Sequence, residues 1–156
     1  MNVPAQTEYD SLPDKIACLM IPMQSVTLML PNEAVAEVVG DLRPEKLPDM
    51  PEWYLGQAEW RGLKIPVLSY ENLVDGSYTT PTHSSCLIVL NSLKAQRTFP
   101  FYALLSTQHP RLLRANKKDL VEQETTTGIN KYHVLINGNA AIIPDLDLLE
   151  EKLLHH

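Results

Sequence analysis

Five histidines, two cysteines and a run of acidic residues are the side chains of this 156-residue chain that could ligate a metal or carry catalysis. His83, His109, His133, His155 and His156 offer no metal-ligand frame, since none has a second His or Cys four positions away. Asp145, Asp147, Glu150 and Glu151 are dense enough to suggest a cation site. The competing reading is that they cap a helix N-terminus and solvate its outer face. Cys18 and Cys86 each lie inside an apolar run, 68 positions apart and with no CxxC spacing, which favours buried free thiols of a reducing compartment over the alternative, a disulfide. The serines lack a Gly-x-Ser-x-Gly frame and no glycine-rich phosphate loop is present. Nucleophilic catalysis therefore has no candidate, and no cofactor is expected.

Arg61 is of another kind. It stands in Arg61-Gly62 between two apolar runs, so it is displayed at a tight turn. A planar guanidinium on a stiff tip suits hydrogen bonding to carbonyls or carboxylates of a partner; the alternative is a solvated turn charge.

The elements that would position it lie between Leu47 and Val74. Pro48 and Pro51 forbid a continuing helix or a central strand at the start of this stretch. Gly56 lets the backbone turn after Trp53-Tyr54-Leu55. Gln57 to Trp60 reads as a strand and Leu63 to Ser69 as its return. Pro66 gives no N–H to a ladder, which predicts an edge strand or a bulge there.

On either side of that hairpin the apolar pattern is of short strands. Residues 1–14 are polar and without period, a flexible tail. Ile16 to Ile21 and Ser25 to Leu30 read as strands around a Pro22 turn, with Val26, Leu28 and Leu30 on one face. Asn32 and Glu33 can start one helical turn, and Ala34 to Val39 continues as a strand or short helix. Glu71 to Leu73 suits a helical turn, and Asp75 to Ser84 a polar connection. Cys86 to Leu90 and Phe99 to Ser106 read as strands, and Lys117 to Gly128 as a long loop. Asn137-Gly138 between alternating apolar residues predicts a second hairpin. After Pro144, Leu146, Leu149 and Leu153 line one face of a closing helix. Each half thus has a Cys-bearing strand, a Gly-turn hairpin, a returning strand with Pro and an acidic helical turn.

Composition narrows the function classes. A hydrophobic fraction of 44% with 21% charged residues is ordinary for a globular domain. A net charge of −6 opposes a phosphate-binding surface, hence no nucleic-acid partner. Glu8, Asp10 and Asp14 precede any apolar run, unlike a signal peptide, and the Ile16–Asn32 segment is broken by Pro22 and Pro31. A cytoplasmic protein without direct membrane insertion is expected.

The ordered set Pro48, Pro51, Tyr54-Leu55-Gly56, Arg61-Gly62 and Ile65-Pro66-Val67-Leu68 resembles the signature of CheW-like domains. The resemblance spans roughly residues 15 to 154. It implies a mainly β fold of two small SH3-like β-barrel subdomains with a C-terminal helix: subdomain 1 over 15–76, subdomain 2 over 85–143, the helix over 145–154. It also implies a non-enzymatic chemotaxis-type adaptor that couples a chemoreceptor's cytoplasmic tip to the regulatory domain of a CheA-like histidine kinase. Carried over residue by residue, the partner-binding positions are Val35, Glu37, Gly56, Arg61 and Gly62, and both glycines also have a purely backbone reading. Ser69 and Glu71 depart from the common pattern, which has Asp and a basic residue. Phe101 to Leu105 and Pro110 to Arg114 are more similar to the ChpC and PilI branch, adaptors of type IV pilus chemosensory systems for twitching motility. The alternative function is a small-barrel module for single-stranded nucleic acid, which would need a basic groove with spaced aromatics. A third, an enzyme with its site between the barrels, lacks a convergent acid, base or nucleophile.

Overall fold

The computed structural model describes residues 15–78, 81–94, 98–126 and 128–155; the tail expected over 1–14 lies outside them. The strands are β1 (Lys15–Pro22), β2 (Thr27–Pro31), β3 (Val35–Val39), β4 (Tyr54–Trp60), β5 (Leu63–Leu68), β6 (Cys86–Asn91), β7 (Phe101–Ser106), β8 (Arg111–Asn116), β9 (Leu120–Thr125), β10 (Tyr132–Ile136) and β11 (Asn139–Ile143). Two short α-helices join them, α1 (Tyr70–Asp75) and α2 (Leu146–Leu154). A six-stranded sheet runs β8-β1-β2-β11-β10-β9, and a five-stranded sheet runs β3-β6-β7-β5-β4.

The two sheets do not follow the two halves of the chain. β1 and β2 belong with β8 to β11, and the unbroken stretch β3 to β7 forms the other sheet. The Asp75–Ser84 connection, read as the subdomain boundary at 76–85, joins α1 to β6 within one sheet. Two parallel pairings, β11 with β2 and β5 with β7, set this arrangement. Such long-range pairings leave no local mark, because the residues that pair are far apart in the chain.

Side-chain alternation then builds three apolar layers. On β6, Leu87 and Val89 face one cluster while Ile88 and Leu90 face another; β7 divides likewise between Ala103, Leu105 and Tyr102, Leu104. Both strands are buried on two faces, which is why Cys86 to Leu90 reads as an unbroken apolar run. The six-stranded sheet has its own inner layer from Ile16, Cys18, Met20, Met29, Val134 and Ile136. Between the sheets, Leu28 and Leu30 meet Ile88, Leu90, Tyr102 and Leu104, with Leu149 and Leu153 of α2 packed in. Cys18 and Cys86 are buried free thiols, and burial pushes the Cys18 thiol above its ordinary pKa, away from thiolate chemistry.

Local outcomes differ where tertiary pairing decided. Lys117–Gly128, expected as a loop, contains β9, which finds β10 as its partner. Asn32–Ala34 does form a single 3-10 turn, although Pro31 stands at its start and no side chain caps it. β5 is not an edge strand, but its parallel pairing to β7 covers only Val67 and Leu68. The half up to Pro66 has β4 alone beside it, so the missing N–H is tolerated.

Helix α2 corrects one reading of the acidic run. Asp145 caps it, accepting from the Leu148 N–H at 3.0 Å. Glu150 does not solvate the outer face. It is fully buried, accepting from the Leu93 N–H at 3.1 Å and from the Tyr102 hydroxyl at 2.8 Å. The Leu149/Leu153 stripe turns that side of the helix inward, and Glu150 satisfies the end of β6 there. Asp145→Ala should therefore cost about 1 kcal/mol in chemical denaturation, while Asp145→Asn, which keeps the acceptor, should cost a few tenths. Equal losses from both would mean that charge rather than capping matters.

Candidate functional site

The hairpin of β4 and β5 is closed by two residues, since Trp60 pairs with Leu63. Arg61 and Gly62 both have positive φ, 49° and 77°. Two left-handed residues in succession make the turn whose twist matches the flanking strands, which is how an Arg-Gly pair can serve here. The turn is exposed, and the Arg61 side chain is 68% accessible.

Arg61 does not project alone. Its Nη2 lies 3.0 Å from Glu37 Oε1 on β3, and the Trp60 indole N–H donates to that same oxygen at 2.9 Å. The guanidinium also stands over the Trp60 ring, 5.0 Å from its centroid. Trp60 is buried and fixed in turn by an edge contact with Phe101 at 4.8 Å. β3 and β4 are the first and last strands of the five-stranded sheet, so this contact requires the sheet to curl until its two edges meet. A backbone bridge between Glu45 and Gln57 ties the β3–β4 connection to the same edge. The carboxylate is thus held by a buried indole, and the guanidinium lies across both with its outer N–H groups in solvent. Such an arrangement leaves charged N–H donors facing outward for hydrogen bonding to acceptors; it holds no acid–base pair and no nucleophile.

The five positions taken from the resemblance separate into two groups. Glu37, Arg61 and Gly62 come together at the exposed tip, and a Cβ at Gly62 would meet nothing within 4 Å. Val35 is not with them. Val35 pairs with Leu90 and Glu37 with the adjacent Val89, so Ala36 is an extra residue on β3. That bulge leaves Val35 packed against the inter-sheet layer, while Glu37 reaches Trp60. Gly56 is buried at φ 137°, and a Cβ there would lie 2.2 Å from the Glu45 carbonyl oxygen. Its place in the fold is to admit that crossing backbone.

Trp60 is the site residue that the sequence reading passed over, assigning it only to a strand. Its signal was available: a Trp in register with inward Ala58 must bury its ring and find an acceptor for its N–H. His155 stands four residues after Glu151, and its Nε2 is 3.5 Å from that carboxylate, an exposed pair at the end of α2. Among the described residues no three His, Cys, Asp or Glu side chains are grouped to hold a metal ion. Among the same residues no helix is long and apolar enough to cross a membrane.

The chain is similar in structure to the scaffolding protein TtCheW from Thermoanaerobacter tengcongensis, with a TM-score of 0.71, 18% sequence identity, and coverage of 84% of this chain and 89% of that one. No curated protein sequence matches. The family profile described as the CheW-like domain matches residues 17–152. The chain therefore belongs to the CheW-like domain family.

Proposed function

We propose that this chain is a non-enzymatic adaptor of a chemosensory complex, coupling the cytoplasmic tip of a chemoreceptor to the regulatory domain of a CheA-like histidine kinase. The observation that carries this reading is the Trp60–Glu37–Arg61 cluster, a prepositioned guanidinium on a two-residue turn in a chain of the CheW-like family. A receptor tip is a helical hairpin, whose turn offers the carbonyls and carboxylates that such a fork recognises. Its site of action on this reading is the cytoplasm. Within the family we place it with the ChpC and PilI branch, in signalling that governs type IV pili and twitching motility. The Phe101–Leu105 and Pro110–Arg114 segments, in β7 and β8, support that placement.

A single-stranded nucleic-acid function is disfavoured by the net charge of −6 and by Glu37, which neutralises the guanidinium at the tip. Immobilised full-length chain challenged with receptor cytoplasmic hairpins, the kinase regulatory domain and a single-stranded oligonucleotide separates these readings. Capture of hairpin and kinase domain without oligonucleotide is the expected result. Capture of the oligonucleotide alone would overturn the proposal, as would capture of neither protein. Placement in the pilus branch is tested separately, by offering receptors and kinases of pilus and flagellar systems in competition.

A further inference from the structure

The ladder between β1 and β2 stops at Cys18 and Pro31. Lys15, Ile16 and Ala17 therefore run on with only β8 beside them, paired to Asn116, Ala115 and Arg114. On the far side of β2, β11 ends at Ile143 and the chain turns through Pro144 into α2. Where β2 stops, the six-stranded sheet is thus open between the start of β1 and the end of β11. A cavity of about 490 Å³ occupies that opening, within the roughly 300–1,000 Å³ of small-molecule sites. Its wall is mostly apolar, built from Ile16, Met29, Tyr132, Ile143 and Leu146. Two carboxylates at the rim are already engaged: Asp145 accepts from the Leu148 N–H, and Asp147 pairs with Lys94 at 3.6 Å. The rim also holds Glu33 and Lys131, one charge of each sign.

A smaller hollow adjoins this cavity along the start of β1. It shares Lys15, Ile16 and Ala17 with the first and is completed by Arg114, Ala115 and Asn116 of β8. Among the described residues its lining carries two cations and no acid. Lys15 and Arg114 share one face of the sheet, because Arg114 is paired with Ala17, two residues from Lys15. Both are exposed, and neither has an ion-pair partner among the described residues. An apolar cavity beside two such cations is complementary to a molecule with one aliphatic and one negative end. We infer that this opening binds a free single-chain anionic amphiphile, an alkanoate of medium length, with its chain in the cavity and its carboxylate at Lys15 and Arg114. Burial of the chain supplies the affinity, and the ammonium and guanidinium donors fix which end faces solvent. The site uses none of Glu37, Trp60 and Arg61, so it does not rest on the adaptor reading.

Isothermal titration of the full chain with octanoate, decanoate and dodecanoate, each kept below its micellar concentration, tests this without any second protein. Saturable binding of one molecule per chain is expected, tightening about fourfold per added methylene until the cavity is full. Dodecylammonium, with the same chain and the opposite charge, should bind more weakly than dodecanoate. The Lys15→Glu, Arg114→Glu double variant changes two exposed side chains, so its fold should persist by circular dichroism. It should bind dodecanoate about threefold to tenfold more weakly and lose the preference for the anion. Ile143→Phe narrows the cavity and should shorten the longest chain that binds; if that variant is unfolded, Leu146→Phe carries the same comparison. Absence of saturable binding below the micellar concentration would overturn the inference. So would equal affinity for dodecylammonium, parent-like binding by the folded charge-reversed variant, or a chain-length optimum that a folded cavity variant leaves unmoved.

Discussion

Gly56→Ala is expected to cost this protein about 3–5 kcal/mol, a large share of the roughly 5–15 kcal/mol typical of a domain. The added methyl would stand 2.2 Å from the carbonyl oxygen and 2.6 Å from the carbonyl carbon of Glu45. Those are backbone atoms, which cannot swing aside as the end of a lysine would. Glu45 is pinned there by two hydrogen bonds, its N–H to the Gln57 carbonyl at 2.7 Å and the Gln57 N–H to its own carbonyl at 2.9 Å. Relieving the clash means opening both, each worth about 0.5–1.5 kcal/mol net. The φ of 137° adds strain of about 1–3 kcal/mol for a residue with a Cβ. Gly62→Ala is the contrast. It meets no atom within 4 Å, so only its left-handed φ of 77° counts, about 1–2 kcal/mol. Urea denaturation midpoints of both variants decide the matter, and a Gly56→Ala loss no larger than that of Gly62→Ala would show that the Glu45 crossing is not fixed.

This contrast also shows what the sequence could and could not disclose. Arg61-Gly62 and Asn137-Gly138 were legible as hairpin turns because the requirement is local. Both pairs have two successive positive φ values, and the flanking apolar alternation marks the strands they join. The closing helix was legible through the spacing of Leu146, Leu149 and Leu153. A crossing such as Glu45 over Gly56 joins residues whose types carry no trace of their meeting. The same holds for the pairing of β11 with β2, which returns the end of the chain to its first strands and defeats a division into successive halves. The bulge at Ala36 was invisible for a related reason. Valine, alanine and glutamate in succession fit a regular strand equally well, and only the pairing with Leu90 and Val89 shows the extra residue. Glu150 was misread because the acidic residues of a short helix look alike in sequence until the Tyr102 hydroxyl and Leu93 N–H are placed beside one of them.

Arg61→Ala is expected to weaken binding of the proposed receptor partner by about 1.5–3 kcal/mol, roughly 10- to 150-fold in Kd. The fold should lose less than that. The side chain is 68% exposed and its Glu37 partner 40%, so the pair lost to solvent is worth about 0.2–1 kcal/mol. The stacking on Trp60 adds about 0.5–1 kcal/mol at such an exposed place. Arg61→Lys should recover part of the binding, because an ammonium restores the charge without the planar fork. Glu37→Ala acts differently. It leaves the buried Trp60 indole N–H without the acceptor it has at 2.9 Å and releases the guanidinium from its place. Its stability cost should therefore exceed that of Arg61→Ala, by about 1 kcal/mol. If Glu37 serves binding by holding Arg61, the double variant should bind no more weakly than Arg61→Ala alone; additive losses would mean that the carboxylate touches the partner itself. Isothermal titration of the four proteins against one receptor hairpin, with urea denaturation of each, separates these cases. Parent-like binding by a folded Arg61→Ala variant would reduce the arginine to a solvated turn charge and remove the main support for the adaptor site placed here.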